Sequence, residues 1–197
     1  KDFWTANSVE LLERAAYYGV FIVITLYLSR ILGFDDIEAA WISGCFSAGV
    51  YFLPTFTGAI ADKIGFRHAL LIAFSLLTIG YAGLAVFPLL LESRGLVEYG
   101  QQVVFTGLLT ENVRWAIIPI MVTIMIGGSF IKAVITGTVA RTTTANNRAK
   151  GFSIFYMMVN IGAFSGKTIV KPLRESMGDL GLINLNYFAA SMTLLAF

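Results

Sequence analysis

Cysteine and histidine are almost missing from this chain, and charge is scarce. Cys45 is the single cysteine, so no internal disulfide forms and the redox compartment stays open. His68 is the single histidine; it sits in a short basic loop and reads as a surface residue rather than a proton relay. No metal-ligand cluster, nucleophile motif or phosphate-binding glycine loop is found, so no enzyme chemistry and no cofactor are expected. Only 13% of the residues are charged, and a net charge of +2 is too small to argue for nucleic acid. No basic stretch precedes a short apolar core with a small-residue cleavage site, as a secretory signal peptide would require. What is abundant is apolar: 57% hydrophobic and 14% aromatic residues, 16 Phe, 19 Gly and a mean hydropathy of +0.76. That balance indicates a membrane protein, and the helical spans below make it an all-α one and exclude a soluble enzyme. The chain lacks an initial Met and its last 18 residues are uncharged, so it is expected to be a piece of a longer protein that stops inside a helix.

Five full spans and one partial span fit the ~20 residues that a hydrocarbon core requires. They are expected at 8–28, 39–61, 69–91, 115–140, 151–170 and 183–197, with no soluble domain between them. The longest connection, 92–114, has room for a short amphipathic turn or an extension of a neighbouring helix. Loops 62–68 and 141–150 are short and basic, whereas those around 35–38 and 92–111 are more acidic. Alternation therefore places the N-terminus and both basic loops on the cytoplasmic side of a plasma or bacterial inner membrane. Repeated filter loops, the mark of a channel, are absent.

Charge appears where it is expensive. Glu10, Glu13 and Arg14 open the first apolar span, and each ionised group near a bilayer centre costs about 2.5–3.5 kcal/mol. With Tyr17 and Tyr18 they recur at helical spacing and share one face. Lys132 lies nine residues before Arg141, Asn160 ten after Lys150, and Tyr51 eleven before Asp62. At ~1.5 Å per residue these offsets are depths of roughly 13–17 Å, and the Glu10–Arg14 cluster counted from Lys1 falls at a similar level. Four helices thus carry their least lipid-compatible groups to one depth, which describes a polar cavity. Two negatives, Glu10 and Glu13, face two positives, Arg14 and Lys132. Arg14 grips a carboxylate bidentately, while Lys132 is a mobile point charge. Moving that ammonium, or inserting a substrate carboxylate, changes the proton affinity of the glutamates, which is the minimum equipment for coupling protons to substrate. Taken singly the same residues have plainer readings: the tyrosines as packed aromatics, Asn160 as an interhelical hydrogen-bonding residue, Lys132 as half of a structural ion pair.

The chain resembles the proton-dependent oligopeptide transporter family of the major facilitator superfamily. Glu10-x-x-Glu13-Arg14 with Tyr17-Tyr18-Gly19 is similar to that family's first-helix E-x-x-E-R signature. Phe155-Tyr156-x-x-Val-Asn160-x-Gly162 is similar to its F-Y-x-x-I-N-x-G signature, and Lys132 matches its fourth-helix lysine. Gly58-Ala-Ile-Ala-Asp62-Lys63-Ile-Gly65-Phe-Arg67 fits the superfamily's G-x-x-x-D-R/K-x-G-x-R/K loop. The resemblance implies the N-terminal six-helix bundle of a twelve-helix transporter that works by alternating access, with a C-terminal six-helix bundle as its partner. It implies a symporter driven by the proton gradient that imports di- or tripeptides. Arg14 and Lys132 would hold the peptide carboxylate, and Glu10, Glu13 and Lys132 would couple protons. Tyr17, Tyr18, Tyr51 and Asn160 would line the pocket. Gly58, Asp62, Lys63, Gly65 and Arg67 would form a conformational gate, though Lys63 and His68 also suit simple positive-inside anchoring.

Three positions depart from the pattern. Ala15 replaces an aromatic, Ala133 replaces the proline that usually follows the lysine, and Lys167, seven residues beyond Asn160, adds a charge. Lys167 either faces the cavity, making the bundle cationic and favouring a more anionic substrate, or snorkels outward with Lys171. Ala133 and Lys167 keep open a carrier of another small anion or metabolite, nitrate-like or a drug-like acid. A non-transporting membrane receptor with the same fold is the alternative from another class.

Overall fold

The computed structural model describes residues 2–100 and 102–197. Lys1, from which the first-helix depth is counted, lies outside the described residues. The chain forms a helical bundle. Helix α1 (Asp2–Phe21) is followed by a short α2 (Ile24–Leu26) that runs into a π-helical turn over Tyr27–Ile31. The segments Phe3–Phe21 and Ile24–Ile31 meet at 47°, so the stretch expected as one straight span over 8–28 is bent. No proline causes this; the ladder breaks at Ile22–Val23 and resumes in the wider π register, a recognised source of kinks. Tyr27 donates to the Leu84 carbonyl at 2.6 Å and ties the bent end to the bundle.

Helix α3 (Asp36–Phe52) begins with a capping box: the Asp35 side chain accepts from the Glu38 N–H at 2.7 Å, and the Glu38 carboxylate accepts from the Asp35 N–H at 3.3 Å. It meets α4 (Pro54–Ile64) at 43°. Pro54 lacks an N–H and its ring crowds the preceding turn, so the 39–61 stretch is likewise bent. Gly65, at φ +86°, then turns the chain sharply into α5 (Phe66–Ser93), a conformation that side chains with a Cβ rarely adopt.

The 92–114 connection departs from the expected turn or helix extension. It forms a hairpin, β1 (Val97–Tyr99) against β2 (Val103–Phe105), antiparallel with Glu98 opposite Val104, followed by 3₁₀ turns at Leu108–Thr110 and Asn112–Ala116. Alternating β-branched and aromatic residues favour this pairing. Tyr99 reaches from the hairpin to donate to the Ile31 carbonyl at 2.9 Å, and burial, then the nearby Glu92, raise its phenol above the ordinary range. Arg114 donates to the Gly33 carbonyl at 2.8 Å, pairs with Glu38 at 3.5 Å and lies 4.8 Å from the Phe34 ring centroid. These contacts pin the hairpin end of the bundle.

Helices α6 (Ile117–Thr142), α7 (Arg148–Met177) and α8 (Leu180–Leu195) complete the bundle. By length and apolarity the stretches Phe66–Ser93 and Asn112–Thr142 each suffice to cross a membrane alone, and each bent pair does so as a unit. Close packing uses small residues. A Cβ at Gly127 would stand 3.0 Å from the Ala73 carbonyl oxygen, which locks α6 on α5. On α7, a Cβ at Gly162 would stand 2.5 Å from the Leu11 carbonyl oxygen, and one at Gly166 would overlap the Ala15 carbonyl oxygen. This small-xxx-small pair, facing Gly19, brings the α1 and α7 backbones into contact.

Candidate functional site

On α1 the (i, i+3, i+4) spacing places Glu10, Glu13 and Arg14 together, as helical geometry requires. Arg14 Nε lies 3.0 Å from Glu10 Oε1 and 2.5 Å from Glu13 Oε2. All three are buried: 5%, 0% and 6% exposed for Glu10, Glu13 and Arg14. One cation thus serves two carboxylates inside the bundle. Its neutralisation is incomplete, because Glu10 Oε2 and Glu13 Oε1 find no hydrogen-bond partner among the described residues. Buried polar atoms in that condition are costly, and a proton or a second cation relieves the cost.

Lys132 supplies that second charge from α6. Its side chain is half-buried, but the ammonium nitrogen itself is buried, without a hydrogen-bond partner among the described residues, and sits 3.6 Å from the centroid of the Tyr51 ring. The same nitrogen is 5.9 Å from the Tyr17 ring, and the Arg14 guanidinium carbon is 5.4 Å from that ring. Tyr17 therefore stands between the two cations, at cation–π distance from each. The field of Lys132 reaches both carboxylates without a direct ion pair to either. Tyr51, 66% exposed, comes from the end of α3 just before the Pro54 bend. Shared depth and shared face thus become contact for Glu10, Glu13, Arg14, Tyr17, Lys132 and Tyr51.

Tyr18 and the α7 residues form a second group. Tyr18 is half-buried and meets Tyr17 edge-on at 5.2 Å. Lys167 leans over the Tyr18 ring, its nitrogen 5.0 Å from the centroid, while Lys171 pairs with Glu175 at 3.6 Å in an open turn. Asn160 is exposed on the same face of α7 as Lys167, about two turns earlier. The loop residues lie apart from both groups. Gly58 is half-buried against Ala133 on α6, and Asp62, Lys63, Gly65 and Arg67 are exposed, with no ion pair among the described residues.

Two residues join the cluster that spacing alone did not single out. Asn7, one turn before Glu10, is buried; its amide donates to the Phe3 carbonyl at 2.7 Å while its Oδ1 has no partner among the described residues. Its signal was present, since 7, 10 and 14 share one helical face. Tyr81 of α5 is fully buried and lies beside Tyr17 around a small apolar gap. A lone Tyr in an apolar helix carries no such pattern.

Comparisons with known proteins agree with the motifs. The model of the Major Facilitator Superfamily matches residues 8–170. The dipeptide and tripeptide permease A of Pectobacterium carotovorum subsp. carotovorum (strain PC1) is 27% identical over 200 residues, which cover 100% of this chain and 35% of the permease. The permease of the same name from Escherichia coli (strain K12) is 29% identical over 167 residues, 83% of this chain and 29% of its own length. A solved structure bearing on substrate recognition in proton dependent oligopeptide transporters aligns with a TM-score of 0.76 at 25% identity, covering 99% of this chain and 40% of that one. A bacterial homologue of the human drug peptide transporters PepT1 and PepT2 aligns with a TM-score of 0.75 at 25% identity, covering 99% and 39%. The chain spans 35% of the first of these permeases and 40% of the first of these structures, as the N-terminal half of such a transporter does. These relatives are integral multi-pass membrane transporters, not enzymes.

Proposed function

The chain belongs to the Major Facilitator Superfamily, and from that premise we propose that it is the N-terminal half of a proton-coupled symporter that imports di- and tripeptides by alternating access. The observation that carries this reading is Arg14 held by two buried, incompletely satisfied glutamates, with Tyr17 linking it to Lys132. Two buried carboxylates sharing one guanidinium bind a proton readily when the guanidinium turns elsewhere. A peptide carboxylate entering between Arg14 and Lys132 competes for both cations. As Arg14 swings toward it, a proton takes the place of the guanidinium on Glu10 or Glu13. Peptide and proton then arrive together, and neither is held well without the other.

The surrounding residues shape the space. Tyr17, Tyr18 and Tyr51 supply aromatic walls with polar tips, and Asn160 offers an amide to the peptide backbone. The C-terminal six-helix bundle of the same transporter closes the far side and supplies the partner for the peptide's amino group. The Asp62–Arg67 turn, set by Gly65, carries exposed charges that make and break contacts on the cytoplasmic side as the bundles rock. The proton gradient is the energy source, and no cofactor takes part.

The test is uptake of labelled dipeptide by the full-length protein in proteoliposomes. An inward proton gradient drives accumulation above the equilibrium level, and a protonophore abolishes it. Accumulation that survives collapse of the gradient would remove the coupling, and accumulation of a small anion in place of any peptide would remove the cargo.

A further inference from the structure

Among the described residues, Lys167 is the one cation of this face whose role the peptide–proton cycle leaves unused. Its position is set by packing. Gly162 and Gly166 bring the α7 backbone onto Leu11, Ala15 and Gly19 of α1 with no room for a Cβ at Gly166. Lys167 follows Gly166 directly, so the same contact that fixes the register of the two helices delivers its side chain to Tyr18. Lys167 is exposed, as a snorkelling lysine is, but its side chain has a defined neighbour. It rests 5.0 Å from the Tyr18 centroid and makes no ion pair with any described carboxylate. Lys171, one turn further on, has Glu175 at 3.6 Å and is held in the open turn.

Tyr18 lies four residues beyond Arg14 on α1, about 6 Å along the axis. Lys167 therefore stands roughly one turn from the guanidinium that receives the peptide carboxylate, a gap comparable to the reach of one extended side chain. Asn160, on the same face of α7, lies about two turns before Lys167, toward the Glu10 end of the cluster. Arg14, Lys132 and Lys167 outnumber Glu10 and Glu13 by one charge, and a bound proton raises the excess by another. The terminal carboxylate of a peptide answers one of these charges, and a second carboxylate answers the other.

Resting on the peptide reading above, we propose that Lys167 is a specificity-determining residue that receives the acidic side chain of a Glu- or Asp-containing peptide. An ammonium over an aromatic ring keeps its outer hydrogens free for a carboxylate while the ring holds its stem in place.

The experiment compares proton-driven uptake of Ala-Ala, Ala-Glu and Ala-Lys by the full-length protein in proteoliposomes, before and after substitution. Lys167→Gln raises KM for Ala-Glu about tenfold, the effect of losing one partly screened charge pair, and leaves Ala-Ala within about twofold. Lys167→Arg restores Ala-Glu, and Lys167→Glu turns the preference toward Ala-Lys. Ala-Ala uptake in each variant reports that the protein is folded and active. A Lys167→Gln variant that loses Ala-Ala and Ala-Glu alike, or changes neither, overturns the proposal and marks Lys167 as a gating or packing residue. Failure of the unaltered protein to take up any of the three peptides would instead overturn the peptide reading itself, and this proposal with it.

Discussion

The two cations of the cluster, Arg14 and Lys132, sit in opposite surroundings. Arg14 is 6% exposed and locked between Glu10 and Glu13, whereas Lys132 is half-buried over a tyrosine that is 66% exposed. The first arrangement stores cost: a charge cluster inside the bundle persists only because its members neutralise one another. The second stores freedom, since an ammonium on a flexible stem over an aromatic face moves with little penalty. The pair divides the work. Arg14 balances the buried carboxylates until a substrate carboxylate draws it away, and Lys132, which no described carboxylate holds, answers first to what enters. Tyr17, within cation–π distance of both, connects the paired cation to the unpaired one.

The comparison breaks or sharpens under substitution. The largest effect on stability is expected from Arg14→Leu, which strands two buried carboxylates and costs about 3–5 kcal/mol. Thermal unfolding in detergent reads it, and acidification recovers part of the loss because it neutralises the stranded carboxylates. Gly166→Leu comes next, at about 1–3 kcal/mol, because a side chain there forces α7 off the Ala15 carbonyl. It should also disturb Lys167 through the shared register. Lys132→Leu is expected to change stability by less than about 1 kcal/mol, since the buried ammonium has no ion pair or hydrogen bond among the described residues to lose. Equal destabilisation by Arg14→Leu and Lys132→Leu would erase the distinction between the two cations.

Much of this was legible in residue spacing. The Glu10–Glu13–Arg14 cluster follows from helical periodicity, and the common depth of Lys132 and Tyr51 became a 3.6 Å contact. Gly65 sits at a sharp turn with positive φ. What escaped depends on tertiary contact or on weak local signals. The bend after Phe21 has no proline to announce it, and the Val97–Phe105 hairpin is short enough to pass for an irregular loop. The side to which Lys167 leans could not be read from its i+7 relation to Asn160. It is decided by how closely two glycines let α7 approach α1. Tyr81 joins the cluster only because the bundle sets it across a small apolar gap from Tyr17, a fact that no spacing within one helix reports.

The most direct measurement of the central claim is transport by Glu13→Gln in the full-length protein, with gradient-driven uptake and peptide counterflow assayed in the same vesicles. A neutral amide beside Arg14 leaves the peptide site in place but removes a proton carrier. Accumulation against the gradient should therefore be lost while exchange of peptide for peptide continues. Full gradient-driven accumulation by Glu13→Gln would contradict the account, because the carboxylate most deeply buried against Arg14 would then have no part in moving protons.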